Sequence, residues 1–588
     1  MRASLSVSAA GLLLAFSISV RAQDVKRASP LTKPRASTDV PATLPLKFVG
    51  PPTTGAITPL DLMTRLYKFA DDSMMGRLAG TKWNDMGTDY IASEVKRLGL
   101  QPAGDNGGYF QSPLIQKVFE ASSYVAVGEK RYALWKDFAP RPQGDTLAEL
   151  ANTPAVFGGE WGDTTSFIPA AQAEGKVVVI RLPKGPDGRR DHSTVDRNKL
   201  TARFSSAAAI AVSEMDYLPA GYIEQNYAEP VPSLKEDPSS SVRKPAYFYV
   251  TDAVADEMLG TAIEGAKSGA VGRAVSARIL VNTNTAPGRN VLAILPGADP
   301  LLRNQYVVLG AHDDHIGFNQ RPVDHDSIKA LMMHAAPQGA DGPDPKPTPE
   351  QWVKIRATID SLRKLHPSRP DSIYNGADDD GSGSMALLEI AERFATATTK
   401  PKRSVIFAWH VGEEEGMLGS SYFTDHPTVS RDSIVAQLNI DMIGRGRATD
   451  ATGESKEGKL LHGGKGYLQL IGSRRLSTEL GDLIEATNKH GKFGLNFDYA
   501  LDANGHPQNI YCRSDHWSYA RWGIPVVFFT TGGHADYHQV TDEPQYIDYG
   551  HMSDVAQFIH AAANNVANLS HRVVVDKPKA DPHGMCQQ

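Results

Sequence analysis

The sequence runs to 588 residues with 61 Lys+Arg against 67 Asp+Glu, a formal charge of −6. That balance supplies no basic field for phosphate backbones or anionic lipid, which excludes nucleic acid and a membrane surface as partners. The length exceeds one ordinary core and predicts two domains, while two cysteines, Cys512 and Cys586, are too few for a disulfide scaffold or a thiolate zinc site and are read as separate thiols.

Met1–Ala22 carries an arginine at position 2, the apolar run GLLLAFSISV and a small-residue cleavage pattern at Val20-Arg21-Ala22. These are the features of a secretory signal peptide, so a secreted or periplasmic protein is expected. No later segment has the roughly 20 apolar residues of a membrane span. Residues 23–54 are rich in Pro, Thr, Ser and Lys without apolar periodicity and read as a linker. Thr58-Pro59 then signals a helix start, with Leu60, Met63, Leu66, Tyr67 and Ala70 at helical spacing. A second helix is expected from Asn84 to Leu98, closed by Gly99.

From about Val118 to Ala286 the pattern becomes one of short strands, Lys176–Leu182, Ala207–Val212, Tyr247–Val250 and Ala277–Val281. No catalytic constellation falls there, and the polar stretch RRDHSTVDR reads as an exposed loop. This region is read as a non-catalytic domain inserted into the first.

After Pro287, buried-type strands alternate with helical segments: Asn290–Leu295, Tyr306–Leu309, Ser404–Trp409, Ile434–Ile440, Tyr467–Ile471 and Pro525–Thr530. That alternation predicts an α/β fold, a mostly parallel mixed sheet flanked by helices, with ligands bound past the carboxyl ends of its strands. The residues following the strands are GAHDDHIG with His312, HVGEEEG with Glu413 and Glu414, Asp441, and HADYHQ with His538. Between them, NGADDDGSG (Asn375–Gly383) puts three aspartates in a turn that opens onto a helix bearing Leu387, Leu388, Ala391, Phe394 and Ala395, with Ser382 as its expected N-cap. An acidic run taken alone is a solvated turn. Here two imidazoles and three or more carboxylates fall at strand ends together. One carboxylate bridging two cations, with one imidazole and one further carboxylate on each, makes two near-tetrahedral sites with room for a shared water. Two metals about 3.5–4 Å apart lower the pKa of such a water and polarise a carbonyl. Of Glu413 and Glu414, one is placed to bind metal and its neighbour to take the proton.

The motifs GAHDDHIG, NGADDDGSGSMALLEIA, GEEEGMLGS, LNIDMIGR and SDHWSYARWGIPVVFFTTGGHADYHQVTDE resemble those of the secreted bacterial di-zinc aminopeptidases, the aminopeptidase Y and leucyl-aminopeptidase-like family. DDSMMGRLAG near the start fits the same likeness, and the inserted region resembles a protease-associated domain. The resemblance implies a zinc exopeptidase fold over 55–137 and 276–575, a protease-associated domain over 138–275 and a tail over 576–588. It further implies two zinc ions, one on His312 and Asp441, the other on Glu414 and His538, with Asp379 bridging and Glu413 as the base. Asp314 corresponds to a carboxylate that orients the histidine ligand, and Tyr537 to a hydrogen-bond donor for the oxyanion. The substrates implied are peptides with a free N-terminus; no oligomeric state is implied.

One departure is the long excursion Asn319–Asp371, whose stretch Pro349–Leu365 reads as a helix with Trp352, Ile355, Ile359 and Leu362 on one face. Its histidines His325, His334 and His366 are not expected to be ligands, and the segment is read as a lid or an oligomer contact. Three other functions share parts of the pattern. A carboxypeptidase of the glutamate-carboxypeptidase type needs an arginine cluster, where only Arg513 adjoins a site motif. A glutaminyl cyclase-like transferase needs one zinc, and a receptor on this fold would have lost ligands that are all present here.

Overall fold

A computed structural model of the chain describes residues 44–588 apart from 142–147, 164, 186–189, 191–196, 219–221, 224–230 and 236–244. The expected signal peptide, the linker up to residue 43 and most of RRDHSTVDR lie outside the described residues.

Two helices open the fold, α1 (Pro59–Phe69) and α2 (Lys82–Arg97). The Thr58 side chain accepts from Asp61 N at 3.1 Å, the N-cap that Thr58-Pro59 predicts. The second half continues with β1 (Asn290–Leu295), β2 (Tyr306–His312), α3 (Gly381–Thr396), β3 (Ser404–His410), β4 (Ile434–Ile440), β5 (Tyr467–Ile471), β6 (Asn496–Asp498), β7 (Val526–Thr530) and α4 (Tyr549–Asn568). The strands assemble in the order β1-β3-β2-β4-β7-β5-β6, with short strands Gln101–Pro102 and Phe110–Gln111 beside β1. The four central strands β3, β2, β4 and β7 are mutually parallel, whereas β1 pairs antiparallel to β3 and β5 antiparallel to β7, with β6 parallel to β5. Every residue of β3, β4 and β7 is buried. That is the signature of parallel strands covered on both faces, and it is why they read as mainly apolar runs, the polar Gln437 and Asn439 of β4 bonding each other. On one face Val307, Leu309 and Ala311 pack with α1, α3 and α4; on the other, Val308, Ile406 and Ala408 meet Phe423, Tyr511 and Tyr519.

Among the described residues, a second sheet of eight strands is drawn from the chain between Tyr124 and Ile279 and has apolar clusters on both faces. It supplies the short strands read from sequence, and it extends beyond the expected limits at 138 and 275, since Tyr124–Val127 pairs with Val271–Ile279. A three-stranded sheet of Leu114–Phe119, Val231–Leu234 and Val281–Thr285 stands where the chain passes between the two larger sheets.

Three sequence readings change. Residues 44–54 are not a free arm: Leu44 and Phe48 pack on the core and Tyr67 Oη donates to Pro45 O at 2.5 Å. Cys512 and Cys586 are joined in a disulfide across 74 residues, and Gln588 accepts from Tyr511 N at 2.9 Å, so the tail is fastened to the body. The N-cap of α3 is Asp380 rather than Ser382; its Oδ1 accepts from Gly383 N at 2.9 Å while Ser382 Oγ turns back to Asp378 O. Gly383 is required there, because a Cβ would lie 2.3 Å from Ile440 O; the contact seats α3 against the end of β4.

Candidate active site

The carboxyl ends of the four parallel strands converge. His312 closes β2, Asp441 follows β4, Glu413 and Glu414 lie just past β3, and His538 stands in the loop after β7. Asp379, from the turn ahead of α3, sits between them. Its Oδ1 is 3.1 Å from His312 Nε2, and its Oδ2 is 2.9 Å from His538 Nε2. Asp441 Oδ1 approaches the first imidazole at 3.7 Å and Glu414 Oε2 the second at 3.0 Å. All five residues expected as ligands are thus brought together, in two pairs on opposite oxygens of one carboxylate. His538 holds φ at +55°, a left-handed conformation uncommon outside glycine and concentrated at functional sites.

The acidic turn is buried rather than solvated: Asp378, Asp379 and Asp380 are at most 3 % exposed. Three adjacent carboxylates tolerate this because backbone amides absorb two of them. Asp380 accepts from His312 N and Met442 N, both at 3.1 Å, and Asp378 accepts from Gly444 N at 2.6 Å. Asp542 in turn receives the amides of Asp378 and Asp379, and Arg77, wholly buried, donates to Asn375 O and Gly376 O at 2.7 and 2.9 Å. Burial lowers the Arg77 guanidinium to about 10 against the pull of Asp314, Asp379 and Asp542. Asp379 faces His312 and His538, while Asp378 Oδ2 lies 3.1 Å from a further imidazole, His534 Nε2, and an oxygen of Asp380 stands within 4.8 Å of ligand atoms of His312 and Asp441. Although burial acts the other way, the close imidazoles of His312 and His538 hold Asp379 well below the usual carboxylate range.

Asp314 stands where it was expected beside His312, whose Nδ1 lies 3.2 Å from its carbonyl oxygen and 3.7 Å from its carboxylate. The same carboxylate accepts from Glu413 N at 3.1 Å, so one residue positions both the imidazole and the glutamate. Among the described residues Glu413 takes part in no ion pair; burial lifts its carboxyl well above the ordinary range, and Asp441 and Glu414 add to the rise. Ser514 donates to Asp441 Oδ2 at 2.7 Å.

Two residues of the site escaped sequence reasoning. His315, fully buried, places Nδ1 2.6 Å from Glu414 Oε1 and 3.7 Å from Asp379 Oδ2. Its ligand atom groups with those of Asp379, Glu414 and His538 within 4.8 Å. The signal was the second histidine of GAHDDHIG. Arg77 was the other, inside DDSMMGRLAG, where a buried arginine looks like any surface one.

The donor set fits divalent metal. Nε2 of His538 and Oδ2 of Asp379 are sealed from solvent without a well-formed hydrogen bond, as expected of atoms aimed at a shared cation rather than at each other. Against the effect of burial, Asp379 and Glu414 raise the His538 imidazole to about 11, a measure of how strongly this point draws positive charge. Imidazole with carboxylate oxygens suits zinc. A separate group, His325, Asp371 and Glu543, is different in kind: the Arg369 guanidinium binds both Glu543 and Asp371, so a cation of the chain itself already stands between the acids. His334 and His366 bond elsewhere, to Thr358 Oγ1 and Pro367 O.

A cleft opens beside Asp379, Glu413 and Asp441. Met442, Leu501, Ile510 and Phe528 give it an apolar wall, and Arg513, Asp341 and Tyr537 also line it. The Tyr537 ring lies against His538, centroids 4.1 Å apart.

Residues 290–563 match the family model described as Peptidase family M28. Leupeptin-inactivating enzyme 1 of Streptomyces exfoliatus is 28% identical over 208 residues, 34% of this chain and 40% of that protein. Leucine aminopeptidase 1 of Ajellomyces capsulatus (strain NAm1 / WU24) is 29% identical over 212 residues, 34% of this chain and 49% of that protein. The chain spans less than half the length of these curated relatives. Among solved structures, the aminopeptidase from Aneurinibacillus sp. strain AM-1 superposes with a TM-score of 0.44 at 16% identity, over 89% of this chain and 97% of the other. BSAP, a zinc aminopeptidase from Bacillus subtilis, gives 0.43 at 15% identity, over 85% and 94%.

Proposed function

Through residues 290–563 the chain belongs to peptidase family M28, and from that premise we propose that it is an exported zinc aminopeptidase, removing the N-terminal residue of peptides at a two-metal site. The observation that carries the reading is the single Asp379 carboxylate flanked by the His312/Asp441 and Glu414/His538 pairs.

His312 with Asp441 would hold one zinc, Glu414 with His538 the other, and Asp379 both. When bound, such a metal pair supplies a water of lowered pKa and polarises the scissile carbonyl. Glu413, raised in pKa by burial and without an ion pair among the described residues, takes the proton from the attacking water and returns it to the leaving amine nitrogen. The substrate's free amine is held by the carboxylates that line the cleft, while the side chain of the first residue lies along Met442, Leu501, Ile510 and Phe528. The Tyr537 hydroxyl donates to the oxyanion as charge moves onto the carbonyl oxygen. The residues from Tyr124 to Ile279, read as a protease-associated domain, contribute none of these groups and act on access.

The test is hydrolysis of aminoacyl-nitroanilides against N-blocked peptides, with zinc counted on the same sample. Turnover of the free-amine substrates alone, at two zinc ions per chain, is expected. Cleavage of N-blocked peptides from their carboxyl end would overturn the reading in favour of a carboxypeptidase, and full activity at one zinc would remove the bridging role of Asp379.

A further inference from the structure

The excursion that follows His312 does more than enlarge the fold. Strands Phe318–Asp324 and Pro370–Ile373 pair at its base and carry helices His325–Ala335 and Pro349–Leu365, with a tight turn at Gly339–Asp341 between them. This turn is docked on the His538 loop. Lys329 Nζ binds Asp536 Oδ2 at 2.5 Å, Ala340 N donates to Tyr537 O at 3.1 Å, and Gln338 Nε2 donates to Glu454 Oε1 at 2.8 Å. Gly339 sits at φ +60° so close to the loop that a Cβ would lie 2.6 Å from Tyr537 O. The docking delivers the Asp341 carboxylate into the cleft.

There Asp341 meets Arg513, the one lysine or arginine among the described residues lining the cleft. The pair is bidentate, Oδ1 to Nη2 at 2.8 Å and Oδ2 to Nη1 at 3.2 Å, with the Tyr537 hydroxyl 3.5 Å from Nη2. Both side chains keep partial contact with solvent, 39% for Arg513 and 24% for Asp341, which puts the pair at the mouth rather than in the floor. A free guanidinium at that position is a ready receptor for a substrate carboxylate. Here its fork is already filled.

Resting on the aminopeptidase reading, we propose that Asp341 is a specificity-determining residue: by occupying Arg513 it makes the cleft discriminate against substrates that present a carboxylate next to the scissile bond, such as free dipeptides, in favour of those that continue as a neutral chain. A carboxylate entering the mouth has to displace Asp341 and leave it unpaired, or lie beside it as a like charge. Both are ways of rejecting a partner by repulsion rather than by loss of fit. The device belongs to the excursion, which places a residue of one segment on the catalytic surface of another.

The test uses leucyl-leucine and leucyl-leucinamide, which differ only in the terminal carboxylate, on the full chain with zinc. In the wild type kcat/KM is expected to favour the amide. Asp341→Asn should raise the acid-to-amide ratio of kcat/KM about tenfold, the change falling in KM for the acid, in line with the loss of one charge-assisted pair. Asp341→Glu, which restores the carboxylate, should return the wild-type ratio, and adding Arg513→Gln to Asp341→Asn should abolish the gain. A ratio unmoved by Asp341→Asn, or an equal fall on both substrates in the Asn and Glu variants, overturns the proposal and leaves the turn a structural brace. If the zinc-loaded wild type cleaves neither substrate, the aminopeptidase reading falls and this inference with it.

Discussion

His315 Nδ1 lies 2.6 Å from Glu414 Oε1, so the glutamate expected to hold metal is gripped on its far oxygen by a fully buried imidazole, while its other oxygen faces His538 at 3.0 Å. A carboxylate ligand held in this way keeps its orientation, and loss of such a partner typically lowers metal affinity about 10–100-fold. His315→Leu is therefore expected to fold, to lose zinc from the Glu414/His538 side first and to regain part of its activity in excess zinc. Metal titration of the variant checks this; unchanged zinc affinity would remove His315 from the site.

The adjacent glutamates should fail differently. Glu413→Gln keeps size and hydrogen bonding but removes the proton acceptor, and the expected loss in kcat is about 10²–10⁴-fold with both zinc ions retained. Glu414→Gln replaces an anionic ligand by a neutral amide, so zinc content drops and added zinc partly restores turnover. The measurement is zinc stoichiometry alongside kcat. If Glu413→Gln were the variant that lost metal, the two roles would have to be exchanged.

The Cys512–Cys586 disulfide closes a loop spanning 74 residues. By chain entropy a loop of that length stabilises by roughly 4 kcal/mol. Cys512 itself stands between Ile510 and Arg513, both in the cleft wall. Cys586→Ser is expected to lower the denaturant midpoint and raise KM for aminoacyl substrates. Denaturant unfolding of the oxidised and reduced wild type gives the same comparison without a substitution.

Stability should fall on mild acidification through a histidine remote from the catalytic cleft. Burial, with a smaller push from Arg393, lowers His560 to about 4. An unfolded chain protonates this imidazole near 6.5 and the folded chain does not until about 4, so its contribution is fully present above 6.5 and lost as pH falls through that window. Allowing for partial exposure, the loss is about 2–3 kcal/mol. In His560→Phe, which keeps a ring against Phe394 at a centroid distance of 4.4 Å in the parent, urea midpoints should change less between pH 6.5 and 4 than in the wild type. Metal loss in acid is common to both and cancels in the comparison; parallel curves would refute the assignment.

How much of this was legible from residue order follows from the range of the forces involved. The central strands were readable because strands covered on both faces are mainly apolar, and Ser404–His410 and Ile434–Ile440 fall where that rule puts them, the polar Gln437 and Asn439 bonding each other. The side chains that converge on Asp379 were readable because ligands gather past the carboxyl ends of such strands, a constraint of topology that survives in linear order. The N-cap of α3 was not, because Ser382 and Asp380 are equally competent by type and only the packing of Gly383 on Ile440 O selects the aspartate. Nor were His315 behind Glu414, Arg77 beneath the acidic turn, the pairing of Cys512 with Cys586 or the meeting of Asp341 with Arg513. Each joins residues far apart in the chain through a hydrogen bond, a covalent bond or an ion pair that leaves no local periodicity. The sequence by itself determined which strands form and which chemistry gathers at their ends, since both depend on side-chain type and short-range pattern. Only the tertiary structure decided which buried charges face one another, because charge pairing depends on distances that the chain sets when it closes on itself.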